Sequence, residues 1–499
     1  MKQKKWQSLN SVRAVFKTVP LTRALIHCSI LMVAFTSDLQ AEMGEFSGWV
    51  NGQTRYYPDT GENVDEQVYP AAALQLNYSQ NITDDDQLVI GLFARGDAVD
   101  DERNYVDARE FLWLHHGDNY QFRAGVGQVS WGVNELFKIT DVINQKDRAE
   151  LPLQRKLGQP MAAVSFYLGD DLIELYSLYD VRPAWFPGED GRMRYPILVD
   201  PDHQEYDRGK SGRWDFAVRW KTRLADMDIA LSHFYGVTRD PYFIFNYDFA
   251  DPYLIPVYEK VNQTSLEMVY PWQDVLLKLE ATYQTGSIEQ FESVVAGFEY
   301  TFGGVFQSDF DLSWYVEAIW DSRDQIYATL FDHDVGVAAR LAFNDARDSN
   351  LILGVVADYE YSEAFGYLFW TNNFGASWTM NITGQYFMAN EPRLDPRDYV
   401  QFQQLADDVE AGNYPLPQEL VDSILEAFEN TTISEKQYEI MLERLEEIQA
   451  GQGDYFTNVE DYTDVPQTLF DLLRISDNSQ KMNLIERDGY IQVDVFYHF

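Results

Sequence analysis

Charged side chains at every second position of otherwise apolar runs are the most chemically loaded pattern in this chain. Arg95 and Asp97 extend the run of Leu88, Ile90, Leu92 and Ala94, and Arg123 interrupts Tyr120, Phe122, Ala124 and Val126. Asp215, Arg219 and Lys221 alternate with Trp214, Phe216, Val218 and Trp220, and Lys278, Glu280, Asp311, Glu317, Arg340 and Asp358 follow the same rule further on. Rows of guanidinium and carboxylate groups sort solutes by charge and polarity, and they break no bonds. For covalent chemistry the chain offers little. Outside the first 41 residues its histidines are His115, His116, His203, His233, His333 and His498, none in a nucleophile–base arrangement. There is no phosphate loop, dinucleotide fingerprint or zinc spacing. Asp332-His333-Asp334 comes nearest to a metal motif, and a surface turn accounts for it better. The expectation is a protein that is not an enzyme, with no cofactor and no metal.

The elements that must position those charges have a period of two. Further examples are Leu74, Leu76 and Tyr78; Val275 through Tyr283; Leu312 through Trp320; Val335 through Phe343; and Trp378, Met380 and Ile382. One face of each run is apolar and the other carries charge, which suits strands between lipid and a watery lumen. A β-sandwich alternates too, with its apolar face inward, so alternation alone leaves both open. Tight polar turns fall near Thr83–Asp86, His116–Asn119, Gly169–Asp171, Leu224–Asp226, Pro271–Gln273, Gly303-Gly304 and Asn344–Arg347. Longer connections fall near 58–70, 132–159, 182–211, 238–255, 322–332 and 390–487. Short and long links in alternation predict a transmembrane antiparallel β-barrel of about 18 strands, with 16 the alternative. The least distinct strands lie around 105–116 and 363–373.

Both ends bear on the choice. Residues 1–41 read as a secretory leader: Lys2, Lys4, Lys5, Arg13, Lys17 and Arg23 precede an apolar stretch from Ala24 to Phe35. The single cysteine, Cys28, lies inside it, so the remainder has neither disulfides nor thiolate metal sites. At the other end Ile491, Val493, Val495, Tyr497 and Phe499 share one face, opposite Tyr490, Gln492, Asp494, Phe496 and His498. This strand resembles the C-terminal signature of Gram-negative outer-membrane β-barrel proteins. The resemblance implies Phe499 as the residue read by the barrel-assembly machinery. It also implies a setting of outer-membrane lipid and lipopolysaccharide.

Composition agrees with that class. Aromatic residues make up 15% of the chain, with 32 Tyr and 31 Phe; a membrane barrel uses such residues in two interfacial girdles. The formal charge of −42 argues against nucleic acid as a partner. The oligomeric state is not legible.

Three connecting segments stand out. In Trp131–Asp147, apolar Leu136, Phe137, Ile139, Val142 and Ile143 mix with Glu135, Lys138, Asp141, Asn144, Lys146 and Asp147. A loop this apolar must be buried, so it is expected to fold inward and narrow the lumen. It resembles a segment of porin-like outer-membrane families, the matching residues being Gly125, Trp131, Gly132, Asn144 and Asp147. Trp131 and Gly132 serve equally well as a girdle tryptophan and a turn glycine. The second segment, Pro183–Gly212, is rich in proline, aromatics and acid, which fits an ordered external loop; packing explains its aromatics better than a sugar platform. The third, 390–487, holds 22 acidic and 7 basic residues. Within it Leu420, Val421, Ile424, Leu425 and Phe428, then Tyr438, Met441, Leu442, Leu445 and Ile448, recur at helical spacing. It is expected to cap the barrel, plug it, or project as a solvated acidic appendage.

The chain therefore divides into a leader (1–41), barrel strands and loops (42–389), an acidic helical insertion (390–487) and a closing strand (488–499). The expected function is a porin-like channel for small polar solutes. Arg95, Arg109, Arg123, Arg219 and Arg340 would face Asp97, Asp311, Glu317 and Asp358 across the lumen, with Trp131, Glu135, Asp141, Asn144 and Asp147 at the constriction. A polymer exporter of the alginate-export kind, or a barrel anchoring a surface-binding insertion, are the alternatives.

Overall fold

The computed structural model describes residues 44–61, 64–150, 155–206, 214–246, 252–288, 290–323, 330–361, 363–389 and 482–499, with the backbone of the pairs 393–394 and 457–458. The leader (1–41) and the helical repeats of the 390–487 insertion lie outside the described residues.

An 18-stranded sheet runs in chain order and closes on itself. Its strands are β1 (Glu45–Tyr56), β2 (Val68–Asn81), β3 (Asp86–Asp97), β4 (Tyr105–His116), β5 (Tyr120–Gly127) and β6 (Gln159–Leu168). Next come β7 (Asp171–Tyr179), β8 (Trp214–Leu224), β9 (Met227–Val237), β10 (Lys260–Trp272), β11 (Val275–Thr285) and β12 (Gln290–Val305). The last are β13 (Phe310–Asp321), β14 (His333–Ala342), β15 (Asn350–Asp358), β16 (Ala364–Phe374), β17 (Trp378–Met388) and β18 (Tyr490–His498). Each is antiparallel to its neighbours, and β1 pairs with β18 from Trp49↔His498 to Tyr56↔Ile491. Among the described residues, closure leaves the barrel sheet itself without an unpaired edge strand.

Side chains settle which face is apolar. Trp214, Phe216, Val218 and Trp220 point outward and are exposed, while Asp215, Ala217 and Arg219 point inward and are buried. In β18, Ile491, Val495 and Tyr497 are exposed and Tyr490, Gln492 and Asp494 buried. This inverts a sandwich, and an apolar exterior of this extent calls for an apolar medium around the barrel. Exposed aromatics gather toward the two ends of the outer wall. Phe46, Trp113, Tyr167, Trp272 and Trp378 lie near the short turns, and Tyr56, Tyr179, Trp214, Tyr283, Trp320 and Tyr386 near the long loops.

The two indistinct segments are strands β4 and β16. In β4 the alternation breaks because the β3–β4 register slips between Gly91 and Leu92. The turn expected at Gly303-Gly304 falls later, at Phe306 and Gln307, both with positive φ (57°), after an irregularity between Phe302 and Val305. At the long-loop end, residues from the β7–β8 and β9–β10 connections form a small sheet of Leu198–Val199, Glu205–Tyr206, Tyr242–Phe245 and Tyr253–Tyr258.

Candidate functional site

In the connection between β5 and β6, residues 128–150 enter the barrel and cross it. Its apolar side chains dictate this: Trp131, Phe137, Val142 and Ile143 are all buried. Its tip lands on β11 and β13; in a closed ring of 18 strands β13 lies almost opposite β5. There Glu280 of β11 accepts backbone N–H groups from Val133 (2.7 Å), Asn134 (2.9 Å), Ile139 (3.1 Å) and Thr140 (3.2 Å). The Asn134 amide and the Thr140 hydroxyl donate to it as well, at 3.2 and 3.0 Å. Glu317 of β13 accepts from Glu135, Leu136 and Phe137, at 2.6, 2.9 and 3.1 Å. Both carboxylates are almost fully buried, 0% and 2% exposed, so these bonds form away from water. Gly132 permits the approach: its φ of +100° suits glycine alone, and a Cβ there would sit 3.0 Å from Glu280 Oε1. Lys278 of β11 adds an ion pair with Glu135 (3.0 Å) and another with Glu299 (3.0 Å).

The base of the loop is fastened differently. Glu150 is shared by Arg55 of β1 (2.9 Å), Arg95 of β3 (2.5 Å) and Arg103 of the β3–β4 connection (2.8 Å). Burial alone would raise the Glu150 carboxyl, but Arg103, Arg95 and Arg55 hold it well below the usual carboxylate range. Asn144 clamps the neck, accepting from Val129 N (2.8 Å) and donating to the carbonyls of Gly127 (2.9 Å) and Leu157 (2.8 Å). Asp141 pairs with Lys156 (2.5 Å), and Asp147 accepts from the Tyr105 hydroxyl (2.9 Å). Arg239 reaches the Ile143 carbonyl (3.0 Å) and Asp215 (3.0 Å), and Arg148 pairs with Asp240. Trp131 packs edge-on against Tyr176 (5.9 Å) with the Arg219 guanidinium 5.4 Å from its ring centre.

The remaining sequence-derived candidates occupy different levels of the lumen. Arg123 donates to Tyr176 Oη (3.1 Å) and lies 3.8 Å from Glu174; Arg219 pairs with Glu267. Arg109 donates to Gln75 Oε1 (3.3 Å), and Arg340 to Asn350 (3.1 Å) near the short turns. Asp311 holds the short-turn end, accepting from Gly304 N and Asn344 Nδ2. Asp358 sits at the opposite end, accepting from Glu360 N and Tyr361 N. Opposed rows facing each other across open space are therefore not the arrangement: the charges meet as neighbours, Arg95 beside Asp97 at 3.6 Å for instance. Asp332, Asp334 and Asp358 do converge, with carboxylate oxygens within 4.8 Å of one another. They also accept turn N–H groups, Asp332 N to Asp334 and His333 N to Asp332, as a loop clamp would.

Inward side chains differ between the two halves of the lumen. Toward the long loops they are buried, as with Gln53, Arg55, Asp215, Gln263, Gln284, Ser293 and Gln385. Toward the short turns Gln75, Asn77, Arg123, Glu299 and Asn381 are half-buried and Arg340 exposed. Over the long-loop mouth, Arg192 of the β7–β8 loop binds Asp488 and the carbonyls of Asp59, Glu66 and Arg487. Asp100 accepts from Gly188 N (3.2 Å) and Glu102 N (2.9 Å), and burial pushes its carboxyl up to about 6. The loop's aromatics pack inside the protein, Trp185 on Tyr105 (4.1 Å) and Tyr195 on Phe243 (5.3 Å).

No family model matches the chain, nor does any curated protein. Among solved structures it is similar to OccK8 (OprE) of Pseudomonas aeruginosa, with 10% identity over 69% of this chain and 94% of that one, TM-score 0.43. A BenF-like porin from Pseudomonas fluorescens Pf-5 shows 8% identity over 70% and 94%, TM-score 0.44. OccAB3 of Acinetobacter baumannii shows 7% identity over 91% and 98%, TM-score 0.43. These are likenesses between barrels. The function is read from this chain's own residues.

Proposed function

We propose that this chain is an outer-membrane channel of porin type, passing small polar solutes through a lumen that the 128–150 loop narrows. The observation that carries the reading is the capture of the loop's backbone by Glu280 and Glu317 on the far wall. A segment fixed there sets the bore, while the wall keeps a polar inside and an apolar outside. The apolar belt with aromatics toward both ends matches a bilayer. In this reading the short turns face the periplasm and the long loops the exterior. Solutes are selected by neighbouring charge pairs rather than by a field between opposed walls.

The buried inward residues of the long-loop half favour a second reading, a closed barrel that anchors its insertion at the cell surface. Planar-bilayer recording and liposome swelling with the folded full chain separate the two. The channel reading expects stepwise conductance and swelling rates that fall steeply with solute size. A folded protein giving neither steps nor swelling leaves the anchor.

A further inference from the structure

We propose that Met482–Asp488, the stretch leading into β18, is a releasable plug in the long-loop half of the lumen, and that Arg192 of the β7–β8 loop is its latch. The inference deepens the channel reading and rests on it for what the plug obstructs.

The wall shows that this part of the lumen is dry. Val295, Ile319, Val356, Phe365, Phe387 and Tyr490 come from β12, β13 and β15–β18, and all point inward toward the long-loop end. A wall wetted by a lumen carries polar groups at such positions. These six are at most 7% exposed, so apolar groups cover them. The cover is Met482 and Ile485, with Met193 of the β7–β8 loop and Phe137 of the inward loop, in one continuous cluster. Leu484, beside Ile485, packs on this cluster and also on the loop cluster that holds Phe186 and Phe243. The stretch therefore joins the barrel interior to the roof above it.

It is not held as the wall is held. Asn483–Asp488 forms a single short 3-10 helix, and strand pairing begins only at Tyr490, opposite Gln385. At its start, Met482 N donates to Glu363 at 3.0 Å. At its end, Asp488 accepts from Arg192 Nε (2.5 Å) and from Met193 N (2.6 Å). The same guanidinium donates to the carbonyls of Asp59 (3.3 Å), Glu66 (3.2 Å) and Arg487 (2.5 Å), and it lies 4.3 Å from the centre of the Tyr57 ring. One buried side chain thus ties together the β1–β2 loop, the β7–β8 loop and the approach to β18. Letting the stretch go would break these bonds and no strand pair. Without Arg192, Asp488 would be left buried with its main counter-charge gone, which favours the position where it meets water.

Cysteine accessibility tests this, because Cys28 is the only cysteine in the chain. In a Cys28→Ser background, Ile485→Cys is treated with a charged thiol reagent in the detergent-folded full chain, and the same proteins are recorded in planar bilayers. With the latch intact, position 485 should react slowly. Adding Arg192→Gln should speed labelling roughly tenfold or more, the loss of charge-assisted bonds between buried groups. It should also raise mean conductance, with gel mobility showing an intact barrel. Asp488→Asn removes the latch from the other side and carries the test if Arg192→Gln does not fold. Asp226→Cys, in an exposed short turn, should label at one rate with or without the latch. Folded latch variants that label position 485 no faster overturn the proposal, and so does fast labelling with the latch intact. Faster labelling with unchanged conductance in a conducting protein makes the contact structural only and overturns it too. Silence before and after, with faster labelling, removes the channel reading and leaves the latch.

Discussion

The two ends of the 128–150 loop are held by carboxylates, but by opposite chemistry. At the tip, Glu280 and Glu317 accept mainly backbone N–H groups. At the base, Glu150 balances three guanidiniums. The tip contacts depend on where the backbone lies and little on which side chains it carries. The base contacts depend on charge balance in a buried cluster. In the proposed channel, a fixed base and a hydrogen-bonded tip are what would hold the loop as a constriction.

The largest expected effect comes from breaking the base. Glu150→Gln leaves Arg55, Arg95 and Arg103 buried around a neutral group, and removing one partner of such a cluster costs about 3–5 kcal/mol. Denaturant unfolding in lipid, read by gel mobility of folded and unfolded forms, should register it. Glu280→Gln comes next. Its amide keeps one acceptor and turns an NH2 toward N–H donors, a loss of about 1.5–3 kcal/mol. Hydrogen exchange at Val133, Asn134, Ile139 and Thr140 should quicken roughly ten- to hundredfold, while wall strands stay protected.

A smaller effect separates the outer mouth from both. The Asp100 carboxyl, raised to about 6, holds its proton more tightly folded than unfolded. Its stabilising contribution is complete below the unfolded pKa near 3.8 and is lost as pH rises through about 6. Asp100→Asn should flatten the fall in stability across that window, measured as unfolding midpoints from pH 3.5 to 7. The smallest effect belongs to Arg223→Ala. Its pair with Asp228 is exposed and screened by solvent, and its loss should leave the unfolding midpoint where wild type has it.

Much of the barrel was legible because a strand between lipid and water must alternate, and alternation is a local property of sequence. Strand number, short turns and long loops all follow from it. β4 was indistinct because its bulge at Arg109 shifts the period, and β16 because Phe365, Tyr367 and Phe369 place aromatics on the inward face. The apolar run Leu136–Ile143 marked the inward loop. Its landing points were not visible, since a loop's reach across a lumen has no period. Glu280 stood out as an inward charge beside an apolar row, yet nothing local tied it to Val133. Glu150 and its arginines Arg55 and Arg103 were missed because they come together only when the ring closes. Asp311 and Asp358 alternate as the other charges do, and separate to opposite ends because strand register, not spacing, sets height.

Planar-bilayer recording of the folded double variant Glu280→Gln/Glu317→Gln beside wild type tests the central claim most directly. Freeing the loop tip should raise single-channel conductance, or make it flicker between wild-type and larger levels, with gel mobility showing an intact barrel. Identical conductance in both proteins, or silence in both, would contradict a bore set by those two carboxylates.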